Sequence, residues 1–324
     1  MPSPIGANSL SGFLAVFAQE SLEQFIAQMP KINLFTKNFD SSIANGGISV
    51  TTRISTTNWG SANDLTQGYA STSATASAVT ATLKLRDFDT IFDELQWSTI
   101  TPQVLINTFF KPMGEQMANS IVVDAIANVT SSYFTNTITV ASSSNYTVTG
   151  STSLQAGSTT LDNLEIPYTG RYCIVAPSVY QSLVAGVLPT YIYGDADAVQ
   201  KNRVQNLLGF DVTRYPRFVN SLHPQGGNYV GDGKSGGTYD TADNLVGILG
   251  NQQGLVAAVR APVDVNNGLV QSATAVDPSS GLSIQTRIVN DISKPGWRLV
   301  VCAIYGTAAG NKSAILPIIS TSGV

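Results

Sequence analysis

The chain has 324 residues, 43% of them apolar and 12% charged, with a formal net charge of −4 and a pI near 4.9. That length is ample for a packed core in one large or two modest domains, and the apolar content excludes a disordered chain. Ordinary soluble domains are about one quarter charged, so polarity here rests on Ser, Thr, Asn, Gln and Gly, and the absence of any Lys/Arg run excludes the basic stripe of a sequence-specific nucleic-acid binder.

In chain order, residues 9–29 read as an amphipathic helix. Phe13, Phe17, Leu22, Phe25, Ile26 and Met29 recur at spacings of three to four, Ser9 or Ser11 caps the start and Pro30 stops it. Nothing just after it offers a partner. Its apolar face is therefore expected to dock on a distant part of the chain or on another subunit, and Phe13, Phe17 and Phe25 are candidate interface residues. Residues 46–57 and 78–86 alternate as two strands, with Ile48, Val50, Thr52 and Ile54 on one face of the first and Val79, Ala81, Leu83 and Leu85 on one face of the second. The connection between them is too long for a tight turn. It predicts a long two-stranded arm with a broad tip carrying Trp59, Asn63, Asp64 and Tyr69. An isolated hairpin is marginal in water, so the arm is expected to lie on a neighbouring molecule, with those four residues as candidate contacts. Residues 101–130 read as a long helix with Thr101 as N-cap, Pro102 at the first helical position, and Leu105, Phe109, Met113, Met117 and Ile121 in a stripe that Val122, Ala125, Ile126 and Val129 continue. Unbroken it spans about 43 Å, and Pro112 is expected to kink or restart it.

Further on, 136–149 reads as a hairpin, 171–176 as a buried strand, the stretch after Pro177 as a short helix, and 200–215 as a turn at Gly209 followed by a strand. A Gly-rich loop fills 220–243, and strands follow at 245–249, 255–260, 282–292 and 296–305. The order is that of an α+β protein.

Sites for chemistry fail one by one. GDGKSGG at 231–237 has the second half of a phosphate-binding loop, but its first glycine position is Asn228 and no strand–helix context surrounds it. His223 is the single histidine, which excludes multi-histidine metal sites and leaves little room for a histidine-based triad. Asp87, Asp89, Asp93 and Glu94 read as a charged rim before the long helix, favourable to its dipole, rather than as an acid–base pair. Asp195 and Asp197 are two short carboxylates in a turn, weak ground for a cation. Cys173 and Cys302 sit in apolar strand-like runs and read as buried hydrophobes. The Asn128, Asn145 and Asn311 glycosylation matches read as chance, because no secretory signal precedes them. No run of about twenty apolar residues exists, so no membrane partner is expected. No catalytic residue, cofactor or metal is expected; the arm, the unpartnered helix and the long rod are devices for assembly.

The order of these segments resembles the major capsid (coat) proteins of tailed double-stranded-DNA bacteriophages, with the Hong Kong 97-type fold. GGISVTTRIST is similar to the strand entering that family's extended loop. VTATLKLRDFDTIFDELQWS followed by TPQVLINTFFKPMGEQMANSIVVDAIANV is similar to its strand and spine helix. LEIPYTGRYCIVAPSVYQSLV, with Pro167, Arg171, Pro177 and Leu183, resembles the opening of the axial domain, and VQNLLGFDVTRYPRF carries the Gly209-Phe210 element. DPSSGLSIQTRIVNDISKPGWRLVVCAIYG resembles the late peripheral strands. The resemblance implies an N-terminal arm at 1–39 and an extended loop at 40–86. It implies a peripheral domain at 87–160 and 265–324 with the spine helix at 101–130, and an axial domain at 161–264. It implies pentamers and hexamers closing an icosahedral virion shell assembled in host cytoplasm, with scaffolding, portal and decoration proteins as partners and weak, non-specific contact with packaged double-stranded DNA. Some members cross-link through a loop lysine; residues 58–78 hold none, Lys84 being nearest, so no cross-linking is expected. A separate scaffolding protein is expected, because only a short segment precedes the loop. An encapsulin-type cargo shell of the same fold is the alternative, and a β-rich adhesin or lectin-like protein a more distant one.

Overall fold

Proline cannot donate the backbone bond that an α-helix asks of every interior residue, and the longest helix of the chain is built around that defect. In the computed structural model, which describes residues 7–27, 49–55, 76–93, 101–130, 132–140, 151–177, 179–183, 206–207, 209–215, 244–264, 269–278, 281–290 and 296–320, helix α2 (Pro102–Leu105) passes into a π-helical turn (Ile106–Phe110) and then helix α3 (Lys111–Ile126). The Lys111 amide bonds the Ile106 carbonyl, five residues back, and Pro112 falls in the first turn of α3, where a missing N–H costs nothing. The expected restart at Pro112 is therefore a π turn just before it. Leu105, Phe110, Met113, Met117, Ile121, Val122, Ala125 and Ile126 are buried along the rod, and Phe109 is partly buried.

Helix α1 (Ala7–Ala27) packs on this rod and on the sheet beside it. The Phe17 and Phe110 rings stack with centroids 4.4 Å apart, the Ser21 hydroxyl donates to the Phe110 carbonyl at 3.1 Å, and Lys111 pairs with Glu20 at 3.2 Å. The helices meet closely because residue 114 is glycine: a Cβ there would lie 2.3 Å from the Ser21 carbonyl oxygen.

Strands β1 (Ser49–Ser55) and β2 (Ala76–Thr82) form the expected antiparallel arm, with Val50 opposite Ala81 and Thr52 opposite Val79. After Leu83 the same run continues as β3 (Lys84–Asp93), so the strand reaches well past the expected end at 86. The expected charged rim is thus a strand. Asp87, Asp89 and Asp93 alternate outward while Phe88 and Phe92 point into the core, and a helix approach would not show that period of two; Glu94 lies outside the described residues.

Residues 138–140 form β4, and no hairpin partner follows among the described residues. Helix α4 (Ser151–Asn163) comes next, then β5 (Arg171–Val175), β6 (Asn206–Leu207), β7 (Phe210–Arg214), β8 (Asn244–Asn251), β9 (Leu255–Arg260), β10 (Val270–Val276), β11 (Ser283–Asn290), β12 (Gly296–Ala309) and β13 (Ile315–Ser320). A five-stranded sheet runs β10-β11-β12-β3, with β9 also on β12; a six-stranded sheet runs β4-β13-β8-β5-β7-β6. Sheet membership cuts across the sequence ranges: β9 lies within 161–264 but joins the first sheet, whereas β4 and β13 lie in the flanking ranges but join the second. Within the second sheet β13 pairs antiparallel with β8 and β5 pairs parallel with β7. Helix α4 lies against that sheet through Leu154, Gly157 and Leu161; a Cβ on Gly157 would meet Leu249 and Ile138 side chains at 2.7 and 2.9 Å. One continuous hydrophobic cluster joins α1, the rod and both sheets.

Gly114→Ala tests the close helix contact. The added methyl meets backbone rather than a side chain that can turn away, so unfolding by denaturant should show a loss at the upper end of the ~1–3 kcal/mol typical of overpacking. A wild-type midpoint in this variant would mean that α1 does not sit on the rod as described.

Candidate functional site

Two surfaces stand out once the core is accounted for, and neither is a pocket. The first is the arm. Val50 and Ala81 at its base are buried, but Ser77, Ala78, Thr80 and Thr82 are exposed on β2 and Thr51 and Arg53 on β1. The second is the outer face of the five-stranded sheet. Directly opposed residues share a face, so the register places Leu85 beside Ile304, Asp87 beside Cys302, Asp89 beside Val300 and Ile91 beside Arg298. It extends that face through Gln285, Arg287 and Val289 of β11 to Thr274, Ser272 and Val270 of β10. The opposite face carries Phe88, Phe92, Leu299, Val301, Thr286 and Ile288; the Thr286 hydroxyl donates to the Leu14 carbonyl of α1 at 3.2 Å. On the outer face Leu85 is 56% and Ile91 59% exposed. Asp89 is held there by Arg298 at 2.6 Å. At the other end of the sheet, Asp264 Oδ1 accepts from Gln285 at 2.7 Å, Thr274 at 2.8 Å and Ser272 at 3.2 Å, pinning the segment after β9 to β10 and β11.

A third cluster lies where arm meets body. The Lys84 ammonium sits 2.6 Å from Asp124 Oδ2 on the last turns of α3, and the Tyr305 hydroxyl of β12 donates to the same oxygen. Burial pulls the Lys84 pKa down, but its hydrogen bond to Asp124 and the attraction of that carboxylate more than offset this, and the net shift is upward. The Tyr305 phenol is also pushed up, first by burial and then by its bond to Asp124. The Asp124 carbonyl accepts from Asn128 Nδ2 at 2.9 Å and Thr307 at 3.3 Å, tying the helix end to β12.

A buried arginine organises the start of β5 in the six-stranded sheet. Arg171 donates to the carbonyls of Ile166 at 2.5 Å and Pro167 at 3.1 Å, approaches Asp162 at 2.7 Å and lies 4.3 Å from the Tyr168 ring centroid. Asn251 Nδ2 donates to the carbonyls of Pro167 and Thr169 at 3.0 and 2.8 Å. These contacts close the turn between α4 and β5, and every partner is structural.

The sequence-level candidates divide sharply. Phe17 and Phe25 are 2% and 0% exposed, both inside the subunit, so of the two docking partners expected for this helix it takes a distant part of its own chain. The side chain of Phe13 lies outside those described, as do Trp59, Asn63, Asp64 and Tyr69, and Asp195, Asp197 and His223 with them. Among the described residues no three of His, Cys, Asp and Glu converge. Sequence reasoning missed the outer-face pair Leu85 and Ile91 and the Lys84–Asp124–Tyr305 cluster; the six-residue spacing of two aliphatics among alternating acids was the available signal for the first.

No protein-family model matches the chain, and no curated protein matches it in sequence. Solved structures do match. The capsid of the cyanophage P-SCSP1u superposes with a TM-score of 0.54 at 13% identity, covering 90% of this chain and 87% of that one. A Mycobacterium phage Che8 structure gives 0.54 at 11% identity over 90% of both chains, and the capsid of an empty GTA particle gives 0.52 at 13% over 91% and 90%. The fold is the Hong Kong 97-type capsid fold. In its terms α2, the π turn and α3 correspond to the spine helix.

Both cysteines are free and buried. Burial raises each thiol pKa, that of Cys302 to about 11. With the thiolate suppressed and access blocked, neither should react with a thiol-specific reagent at pH 8 until denaturant unfolds the chain. Fast labelling of native protein would contradict the burial of β5 or β12.

Proposed function

We propose that this chain is a major capsid protein: a non-enzymatic subunit that assembles as pentamers and hexamers into the icosahedral shell of a virion around double-stranded DNA. The observation that carries the reading is the extent of the fold match. Nine-tenths of this chain aligns with nine-tenths of capsid subunits, so the likeness is to a whole assembling unit rather than to a shared domain.

The surfaces agree with it. An arm whose ladder has only two strands cannot stabilise itself, and a sheet face presenting Leu85 and Ile91 needs a cover. Copies of one chain satisfy both by laying each arm on a neighbour, a heterologous contact that closes into rings. In this reading Trp59, Asn63, Asp64 and Tyr69 at the arm tip contact the adjacent subunit. The six-stranded sheet with α4 forms the axial part near the capsomer centre, and the five-stranded sheet with the spine helix forms the peripheral part. Many modest contacts per subunit add by multivalency, and the low charge avoids burying unpaired ions between subunits. The acidic balance keeps contact with packaged DNA weak. Scaffolding, portal and decoration proteins complete the list of partners.

Electron microscopy of native material, with nucleic-acid staining of the same fraction, tests this directly. Closed icosahedral particles holding double-stranded DNA are expected. Closed particles with an enzyme and no DNA would replace the virion by a cargo compartment, and monomers in the presence of the scaffolding protein would overturn assembly altogether.

A second test addresses the outer face. Leu85→Asp with Ile91→Asp should leave the subunit's unfolding midpoint within about 0.5 kcal/mol of wild type, as exposed substitutions do, while cutting the yield of closed shells by roughly tenfold or more. Wild-type yield would mean that this face stays open in the assembly.

A further inference from the structure

The arm and the body are one strand. β2 belongs to the arm, β3 to the five-stranded sheet, and Leu83 alone separates them. On the body side the first residue is Lys84, opposite Tyr305 on the core-facing side of the sheet. The contacts of Lys84 therefore help set the direction in which the arm leaves, together with those that β2 itself makes with β12.

Besides the ladder pairing with Tyr305, what holds the Lys84 side chain is a single carboxylate oxygen. Asp124 Oδ2 takes the Lys84 ammonium at 2.6 Å and the Tyr305 hydroxyl together, and the ammonium lies 5.1 Å from the Tyr305 ring centroid. The receiving side is rigid. Asn128 Nδ2 bonds the carbonyls of Asp124 and Ala125 at 2.9 and 3.3 Å and the Thr307 hydroxyl at 3.1 Å, so the last turn of the spine helix is riveted to β12. The cation also sits at the C-terminal end of that helix, where the helix dipole favours positive charge. The arm side is one lysine on a flexible stem, with a half-exposed side chain. Close behind it, Gly306 lets the Thr82 carbonyl approach: a Cβ there would stand 2.8 Å from that oxygen.

We propose that Lys84, Asp124 and Tyr305 form a latch that fixes the angle of the arm relative to the spine helix. One ion pair and one hydrogen bond make it, so it can open while the ladder pairing of Lys84 with Tyr305 stays intact. The latch rests on the reading of residues 49–82 as an arm that covers a neighbour, and it assigns Lys84 and Asp124 a positioning role.

The test uses the full-length subunit before assembly. Spin labels go on Ala78→Cys of the arm and Gln116→Cys of the spine helix, both exposed; the native cysteines are buried and stay unlabelled. The distance distribution between the labels should be narrow in the otherwise wild-type chain. It should widen roughly twofold, or move to a second maximum, in Asp124→Asn and in Lys84→Met, as expected when two orientations become comparably populated. Lys111→Met breaks the other ion pair of this helix, to Glu20, and should leave the distribution unchanged. Circular dichroism confirms that each variant is folded. An unchanged width in both Asp124→Asn and Lys84→Met overturns the latch, and so does equal widening in Lys111→Met, which would signal general loosening. Shell formation is scored separately on the same proteins. If the distributions behave as expected but the unsubstituted subunit never closes a shell with its scaffold, the latch stands and the capsid reading falls.

Discussion

A two-stranded ladder has two faces and two edges, and the chain that makes it cannot cover all of them. Among the described side chains of β1 and β2, Val50 and Ala81 at the base are the buried ones, where the body supplies a floor. On the proposed reading the rest of the arm is covered by a neighbouring subunit, because the few cross-strand pairs of an isolated hairpin do not repay its ordering. The remainder of the molecule is arranged so that this dependence becomes useful. The strand that leaves the arm is the edge strand of the five-stranded sheet, that sheet is backed by the spine helix, and the spine helix is backed by α1. Force or displacement at the arm is thus delivered through Leu83 and β3 to the hydrophobic core that the spine helix and α1 share.

That part is packed for rigidity. Stacked Phe17 and Phe110, the glycine at 114 and the Ser21–Phe110 hydrogen bond hold α1 within reach of backbone atoms of the rod. Removing a ring of this kind from such a core costs about 3–5 kcal/mol, a large fraction of the stability of any domain. The π turn falls at the same place, so the irregularity imposed by Pro112 lies inside the contact and is fixed by it.

The sequence disclosed these elements unevenly, for physical reasons. α1 and the rod were legible because their faces are long and repeat every three to four residues. The arm strands were legible by alternation. β3 past Leu85 was not, because its outward positions hold aspartates, and a row of acids before a proline-started helix looks like a helix approach. Helix α4 escaped because its contact face is Leu154, Gly157 and Leu161: a glycine in the middle permits the close approach but hides the stripe. β10 is made of Val, Gln, Ser, Ala and Thr, and its burial comes from β11 and α1 rather than from its own apolarity. β13 contains Pro317, which argues against an interior strand; it is tolerated because β4 pairs only with Ile318–Ser320 and leaves that position without a partner on its side. Phe17 and Phe25 were read as candidates for a partner subunit because a helical stripe says that something covers it but not what. Only the tertiary structure shows the cover to be the chain's own spine helix.

Low charge then takes on a particular meaning. In the proposed assembly the face of β3 that carries Leu85 and Ile91 is covered by a neighbour, and Asp87, Asp89 and Asp93 between and beside them would keep that face from sticking indiscriminately before its partner arrives. Acids on an edge strand are a common guard against uncontrolled strand pairing. Here they stand on the strand that continues into the arm, so the part of the subunit most able to aggregate is also the part that charge protects. Arg298 neutralises Asp89 within the subunit, which limits the repulsion that a like-charged neighbour would meet. Specificity in such a contact comes from fit and geometry. That is why the direction of the arm, rather than the strength of any single contact it makes, is the quantity this fold has to control.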